Sequence, residues 1–407
     1  MPRNVWILSG IALGVAVGYG VVNPVLPVFA ASFGVDEFAA AAVIAAFALM
    51  RLVFAPAVGV LAQRFGHRGV LVAGVLVVAA SSVGVGLAGS YPELIALRAL
   101  GGIGSAMFSV AAMTVLLASV DEGHRGRASA LYQGGFLVGA VSGPAIGGLL
   151  AAISLRAPFF FYAFTLVVAA GIALGLENVA GLEAGRGRSA SGGGADPGRS
   201  DDQAKPLREV LRDRRYQAAL LANLAQGWNT NGARGSLVPL FVAAYLVADA
   251  SQAALGAGIA MSVAAAVQMA AIWPAGWVVD MFGRRRPMVI GALIAAVAMA
   301  ALPYSRSLAL LAALLAVYAL GAALIGTAPA AAVGDAAGPG ATNAIAVYSM
   351  AGDTGSVIGP LVAGFLAARF SYVAAFTVGA GLWVVSALVS ASTRAKAAGS
   401  PGAPARQ

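Results

Sequence analysis

Apolar stretches of about 20 residues, the length an α-helix needs to cross roughly 30 Å of hydrocarbon, follow one another along almost the whole chain. In hydrocarbon each backbone N–H and C=O must be satisfied within its own segment, so such stretches have to be helices. Twelve are readable: residues 5–30, 38–62, 70–89, 92–119, 127–152 and 157–178 in the first half, then 216–247, 252–279, 287–304, 307–333, 342–367 and 371–392. We number them spans 1 to 12. Composition agrees, with 60% of residues hydrophobic and 10% charged, where an average soluble chain has about 25% charged residues. The expected fold class is therefore all-α and integral to a membrane. The run from Val5 is too long for a removed signal peptide and lacks a cleavage pattern, so it reads as a retained first helix.

The basic residues orient the spans. Net charge is +9, and nineteen Lys and Arg fall on the side that holds the N-terminus, against three (Arg156, Arg306 and Arg369) on the other. Cytoplasmic loops carry the excess of Lys and Arg, so both termini are expected in the cytoplasm and the number of crossings must be even. Topology and anionic lipid headgroups account for the positive balance, and no nucleic-acid partner is expected. The absence of cysteine excludes disulfides, thiolate nucleophiles and thiolate metal sites. The two histidines, His67 and His124, lie in separate loops, so neither a histidine metal cluster nor a Ser/His/Asp set can be assembled. No metal, cofactor or enzyme activity is expected. GVGLAG, Gly84 to Gly89, formally matches a dinucleotide fingerprint but sits in a span with no strand before it, and that context disqualifies it.

Residues 181–206 have no apolar periodicity and are rich in Gly, Ser and charge, the composition of a disordered linker. In the PLREVLRDRRY that follows, Leu207, Val210 and Leu211 share one helical face and arginines cover the other. That pattern predicts a short helix on the membrane surface or a solvated charged one. The expected organisation is a six-helix bundle over 1–180, a linker with a short amphipathic helix over 181–215, a second six-helix bundle over 216–393 and a tail over 394–407. The two bundles repeat one another. VLPVFA against LVPLFV pairs Pro27 with Pro239 at an offset of 212, GVLAQRFGHR against GWVVDMFGRR pairs Gly66 with Gly283 at 217, and SGPAIGG against IGPLVAG pairs Pro144 with Pro360 and Gly148 with Gly364 at 216. Internal duplication of a six-helix unit marks a secondary transporter, with its substrate site near mid-membrane between the repeats.

These residues resemble the major facilitator superfamily, and within it the drug:proton antiporter branch. GVLAQRFGHRG, with Gly59, Gln63, Arg64, Gly66 and Arg68, is similar to the family's loop after span 2, and GWVVDMFGRRR, with Gly276, Asp280, Gly283, Arg284 and Arg285, repeats it. RALGGIGSA resembles the family's span 4 motif through Arg98, and NPVLP its span 1 proline motif, beginning at Asn23. GAVSGPAIGG, Gly139 to Gly148, matches the span 5 pattern that marks antiporters. The resemblance implies two six-helix bundles in the plasma (inner) membrane and a proton gradient as the energy source. In the family an acid at the position of Gln63 pairs with the loop arginine, so the gate of the first half is expected to be weaker, while Asp280 keeps the acid in the second. Charge-determined topology is the alternative reading of both loops.

Gly135, Gly139, Gly143 and Gly147 are spaced by four, which places them on one helix face, where a second helix can approach backbone to backbone. Gly148 completes the motif, Pro144 bends the helix, and span 11 repeats the device with Gly355, Gly359 and Pro360. The resemblance puts spans 5 and 11 between the halves, where bending would close one side of a cavity; static close packing is the alternative.

Ionisable residues inside spans are costly and functional by default, and Arg51, Arg98, Arg234 and Asp353 qualify. At about 1.5 Å rise per residue, Arg51 and Asp353 lie at matching depths, roughly 20 and 24 Å from the outer ends of spans 2 and 11, which face each other in the family fold. They are expected to pair, with Asp353 as proton carrier or as half of a fixed ion pair. Arg98 lies nearer the outer end of span 4, where snorkelling competes with the proton-coupling role the resemblance implies. Trp228, Asn229, Asn231 and Arg234 form a polar cluster in span 7 that, with Asn23, is expected either to line a substrate cavity or to serve polar packing between helices. Three arginines against one aspartate favour neutral or anionic substrates. The function expected is export of a small organic compound or drug in exchange for protons, by a monomer in the bilayer; the alternatives are a proton-coupled importer or uniporter of a metabolite and a non-transporting receptor.

Overall fold

A computed structural model of the chain describes residues 1–121, 124–176, 207–337 and 342–393. Helices make up the secondary structure of the described residues, with no strand among them. Ten are long and apolar enough to cross a membrane. The other two expected spans are the 17-residue Ala157–Ala173, span 6, and span 7, which is composite. The remaining bounds are Glu37–Phe65, His67–Leu87, Tyr91–Ala118 and Arg125–Ile153 for spans 2 to 5, then Ala250–Phe282, Arg285–Ala301, Leu308–Ala337, Thr342–Arg369 and Tyr372–Ser392 for spans 8 to 12.

Spans 1 and 7, related by the repeat, are both irregular, for different reasons. Span 1 runs as helix over Arg3–Val22, turns, and resumes at Leu26–Ala31. Pro24 and Pro27 have no N–H to donate, and their rings crowd the carbonyls four residues back. Span 7 is α-helical over Arg214–Gly227, widens to a π-helix over Trp228–Leu237, and then passes through Val238–Phe241 and a second π turn, Val242–Leu246. WNTNGARG consists largely of weak helix formers. Polar side chains along the π-helix bond the backbone, Asn229 Nδ2 donating to the Ala225 carbonyl at 2.9 Å and Ser236 Oγ to the Gly232 carbonyl.

Elsewhere the repeat reaches to single contacts. Asp36 caps span 2 by accepting from the Ala39 amide, and Asp249 caps span 8 by accepting from the Gln252 amide, both at 2.9 Å. Hydrogen bonds from the Ser251 hydroxyl and the Gln252 amide hold the Asp249 carboxyl below the usual carboxylate range. The same two spans end on Gly66 and Gly283, at φ +76° and +73°, a conformation nearly closed to residues with a Cβ. Arg68 donates to the Leu174 carbonyl and Arg285 to the Ala391 carbonyl, which ties each loop to the end of its bundle's last span. Gly74 and Gly104 let spans 3 and 4 touch, and Gly291 and Gly321 do the same for spans 9 and 10. Each of these pairs is separated by 217 residues from its counterpart, apart from the caps at 213.

The halves meet along two seams. In one, Gly364 of span 11 lies against Glu37, Phe38 and Ala41 of span 2, beside a Phe38–Phe365 ring contact and a hydrogen bond from the Tyr372 hydroxyl to Glu37 at 3.3 Å. In the other, Gly148 of span 5 lies against Leu255, and Gly258 of span 8 against Pro144. Both sets sit toward the side opposite the termini. The expected surface helix is a single turn, Leu207–Val210, and Val210 is buried with Tyr216, Ala219, Val333 and Ala344 instead of facing lipid. The linker over 181–206 and the tail over 394–407 lie outside the described residues.

Candidate functional site

Below these seams a cavity of about 480 Å³ separates the halves, within the roughly 300 to 1,000 Å³ range of small-molecule sites. Its two walls differ in chemistry. Spans 1, 2, 4, 5 and 6 contribute Tyr19, Phe47, Phe108, Phe136 and Tyr162, so all the aromatic residues of the lining belong to the first half, beside small and aliphatic residues, Ser105, Ser109, Asn23 and Arg51. Spans 7 and 8 contribute Gln226, Thr230, Asn231, Arg234 and Gln268, with Met261 and Met269, so the second half presents amides, a hydroxyl, a guanidinium and thioethers.

Arg51 and Asp353 meet at the cavity wall, Nη2 to Oδ1 at 2.7 Å, and they join span 2 to span 11 across the halves. Their side chains are 39% and 38% exposed, although each lies in the middle of its helix. The pair is a charge-assisted hydrogen bond, and the protein does not enclose it.

The other two arginines are placed differently. Arg98 does not snorkel: it is buried at 5% exposure, with its guanidinium carbon 4.5 Å over the Phe47 ring and Nε without a hydrogen-bond partner. It stands behind the aromatic wall, where a cation–π contact replaces a counter-ion. Arg234 lines the cavity itself, 6.0 Å over the Tyr318 ring, and its Nε is buried and unpartnered.

The span 7 cluster divides. Asn231 and Arg234 face the cavity, as does Asn23 of span 1. Trp228 and Asn229 do not, contrary to the cavity role expected of them. Trp228 packs against Gly355 and Gly359 of span 11, and fully buried Asn229 donates to Gly379 of span 12 at 3.2 Å as well as to Ala225. The helical period alone separates them: at about 100° per residue Gln226, Thr230, Arg234 and Asn231 share one face, and Trp228 and Asn229 fall on the other side.

The glycine stripes also have other partners than expected. Gly135, Gly139, Gly143 and Gly147 face Ser9, Ala16, Gly20 and Val21 of span 1 in their own half, and Gly355 and Gly359 face Leu224 and Trp228 of span 7 in theirs. Contact with the other half is left to Gly148 and Pro144. Pro144 is inside a continuous helix, as is Pro360. Next to it the Ala145 amide donates to Ser262 Oγ of span 8 at 2.8 Å, a cross-half use of backbone at a proline. The two loop motifs begin inside the ends of spans 2 and 8, where Gly59 and Gly276 have open space around them. Gln63, Arg64, Asp280 and Arg285 are exposed, with Arg64 over the Phe65 ring at 5.5 Å.

The aromatic wall and the glutamines were missed from sequence. A ring in an apolar span gives no sign of whether it meets lipid, helix or cavity. An amide does: Gln268, isolated in AAAVQMAAIW, is the kind of intramembrane polar residue that points to a cavity.

The family model described as Major Facilitator Superfamily matches residues 8–245 and, again, 219–406. Over 166 residues the chain is 30% identical to the quinolone resistance protein NorA of Staphylococcus aureus, covering 40% of this chain and 42% of that protein. Over 150 residues it is 36% identical to the tetracycline resistance protein, class G, of Vibrio anguillarum, covering 35% of this chain and 37% of that one. The alignments thus span about two fifths of the length of these curated relatives. Among solved structures, a peptide transporter POT in complex with sulfate superposes with a TM-score of 0.74 at 13% identity, over 96% of this chain and 94% of the other. A bacterial homolog to the human lysosomal transporter Spinster, inward-facing and occupied, gives 0.71 at 17% identity, over 96% and 95%. At such identities the likeness is one of fold.

Proposed function

Since the chain belongs to the major facilitator superfamily, and is thus a multi-pass membrane transporter, we propose that it exports a small organic compound in exchange for protons by alternating access. Its setting in this reading is the plasma (inner) membrane, with both termini in the cytoplasm and a single chain as the working unit. The observation that carries the reading is the Arg51–Asp353 pair, which lies at the cavity wall and spans the two halves. Export is supported by the antiporter-type glycine motif of span 5 and by relatives named for resistance to quinolones and tetracyclines.

In the reading, ionised Asp353 holds Arg51 and with it span 2 against span 11. Protonation removes the charge, and a neutral carboxylic acid attracts a guanidinium far less. The tie between halves then loosens and the side nearer the termini opens, while the glycine contacts of both seams keep the far side closed. Substrate and proton use the same cavity in alternate turns. Arg98, buried behind Phe47, supplies a fixed positive field.

The test uses purified protein in liposomes with an imposed pH gradient and a transported compound found by a binding screen, since a ligand of the folded state raises its melting temperature. Asp353→Asn is expected to abolish gradient-driven movement and to retain gradient-free counterflow. Gradient-driven transport at the wild-type rate in Asp353→Asn removes Asp353 as the carrier. Reversing the sign of the gradient separates exchange from co-transport.

A further inference from the structure

Of the three arginines set in the spans, Arg51 has Asp353 and Arg98 is covered by Phe47. Arg234 alone among them lines the cavity without a carboxylate partner among the described residues. We propose that Arg234 is the anchor for the acidic group of an aromatic organic anion, an inference that rests on the cavity being the transport site.

Four observations converge on it. Arg234 lines the cavity while its Nε is buried without an acceptor, so no protein oxygen holds that edge of the guanidinium and a rotation of the side chain would bring it to a ligand oxygen. Gln226, on the same wall, likewise has Oε1 buried without a partner, so its amide is free to turn to a donor group of the ligand. The opposite wall includes Phe47, Phe108 and Phe136, side chains of the kind that pack against a flat ring system. Finally, Arg51 is neutralised by Asp353, which leaves the lining with the uncancelled charge of Arg234. A guanidinium presents parallel N–H groups that match a carboxylate in two bonds, whereas a cationic ligand would meet like charge with no counter-ion to receive it. Span 7 turns Asn231 and Arg234 to the cavity and gives Trp228 and Asn229 to spans 11 and 12.

The experiment measures binding to the purified full chain, without gradient or transport, using three probes of one shape: 2-naphthoate, 2-naphthamide and 2-naphthylmethylammonium. The expected order is naphthoate first, by ~10-fold over the amide, with the ammonium weakest. Arg234→Gln should bring naphthoate down to the level of the amide while leaving amide binding unchanged, which also shows that the variant is folded. Arg234→Lys should keep part of the preference, and Arg51→Gln combined with Asp353→Asn should keep the order. An amide or ammonium that binds wild-type protein as tightly as naphthoate overturns the inference, with no variant needed; so does a preference that survives Arg234→Gln. Naphthoate that binds in the expected order but is never exchanged for protons in liposomes would instead count against the export reading and leave the subsite standing.

Discussion

The two seams between the halves are related by the same internal repeat and are built from opposite materials. At the offset of 217 residues that pairs Gly66 with Gly283, Arg51 of span 2 corresponds to Gln268 of span 8; at 216, Asp353 of span 11 corresponds to Leu137 of span 5. All four belong to the cavity region, Arg51, Gln268 and Leu137 in its lining and Asp353 bonded to Arg51. One seam therefore carries an ion pair where the other carries an amide and a leucine. Both seams have close glycine contacts, Gly364 in the first and Gly148 and Gly258 in the second, and the second adds the Ala145–Ser262 hydrogen bond. Duplication supplied two equivalent joints, and among their described contacts only the first includes carboxylates, Asp353 and Glu37. In the proposed exchange it is the joint that a proton switches, and the other is passive.

Breaking the charged joint should have the largest effect. Arg51→Glu places two carboxylates where a 2.7 Å ion pair stood, and transport is expected to fall by about 100-fold, since like charges in contact repel and one must stay protonated. Exchanging the pair, Arg51→Asp with Asp353→Arg, should recover activity to within about 10-fold of wild type, because the coupling belongs to the pair rather than to either residue. Initial rates in liposomes read both. A double variant no better than Arg51→Glu would mean that each residue acts alone.

The contrast is sharpened by copying the charged joint into the neutral one. Gln268→Arg with Leu137→Asp builds a second ion pair at the equivalent place, so two protons are needed to loosen both seams. Turnover should slow by about 10-fold at neutral pH, the range expected when a second coupling of 1–3 kcal/mol biases one state. The slowing should lessen as the pH falls and the added carboxylate is neutralised. Equal slowing at all pH values would make it a packing defect.

How much of this was legible in the sequence depends on what each residue's signal resembles. Arg51 and Asp353 are charges in an apolar background, so rise per residue alone gave their depths, and they meet. The matched caps and glycines also showed, because backbone demands at turns are local: Gly66 and Gly283 adopt the positive φ that only glycine takes easily. The stripe Gly135 to Gly147 was readable as a close approach but not as an approach to span 1, since four-residue spacing names a face and leaves the partner open. In span 7 nearness in sequence is not a shared face: Trp228 and Asn229 lie away from the side that carries Asn231 and Arg234. The aromatic wall was invisible: in a membrane protein the lipid and the core are both apolar, so the contrast that marks a face in a soluble helix vanishes.

The neutral joint can be broken without touching a charge. A Cβ added at Gly258 would overlap the Pro144 carbonyl and come within 3.2 Å of Gly148 Cα, so Gly258→Val should force spans 5 and 8 apart on the side opposite the termini. Because the chain has no cysteine, a single Asn23→Cys at the cavity wall reports access cleanly. Labelling by an impermeant thiol reagent from that side should rise by about 10-fold in Gly258→Val, which corresponds to roughly 1.4 kcal/mol of bias between the two states. Unchanged labelling would mean that the far side is held by the charged seam alone.

Ser262→Ala should have the smallest effect, and it bears most directly on why the neutral joint exists. Pro144 cannot donate in the helix ladder and its ring crowds the carbonyl four residues earlier, and the neighbouring Ala145 amide is turned to Ser262 Oγ at 2.8 Å. Removing the hydroxyl leaves a half-buried N–H without its cross-half partner, a loss of about 1 kcal/mol. That loss falls only on the state in which spans 5 and 8 are closed on this side. The variant should therefore lower the melting temperature by a few degrees and raise Asn23→Cys labelling by less than Gly258→Val does, with proton coupling intact. A shift in coupling, measured by the dependence of rate on the pH gradient, would show that the two joints communicate, and the division between a switched seam and a passive one would then be lost.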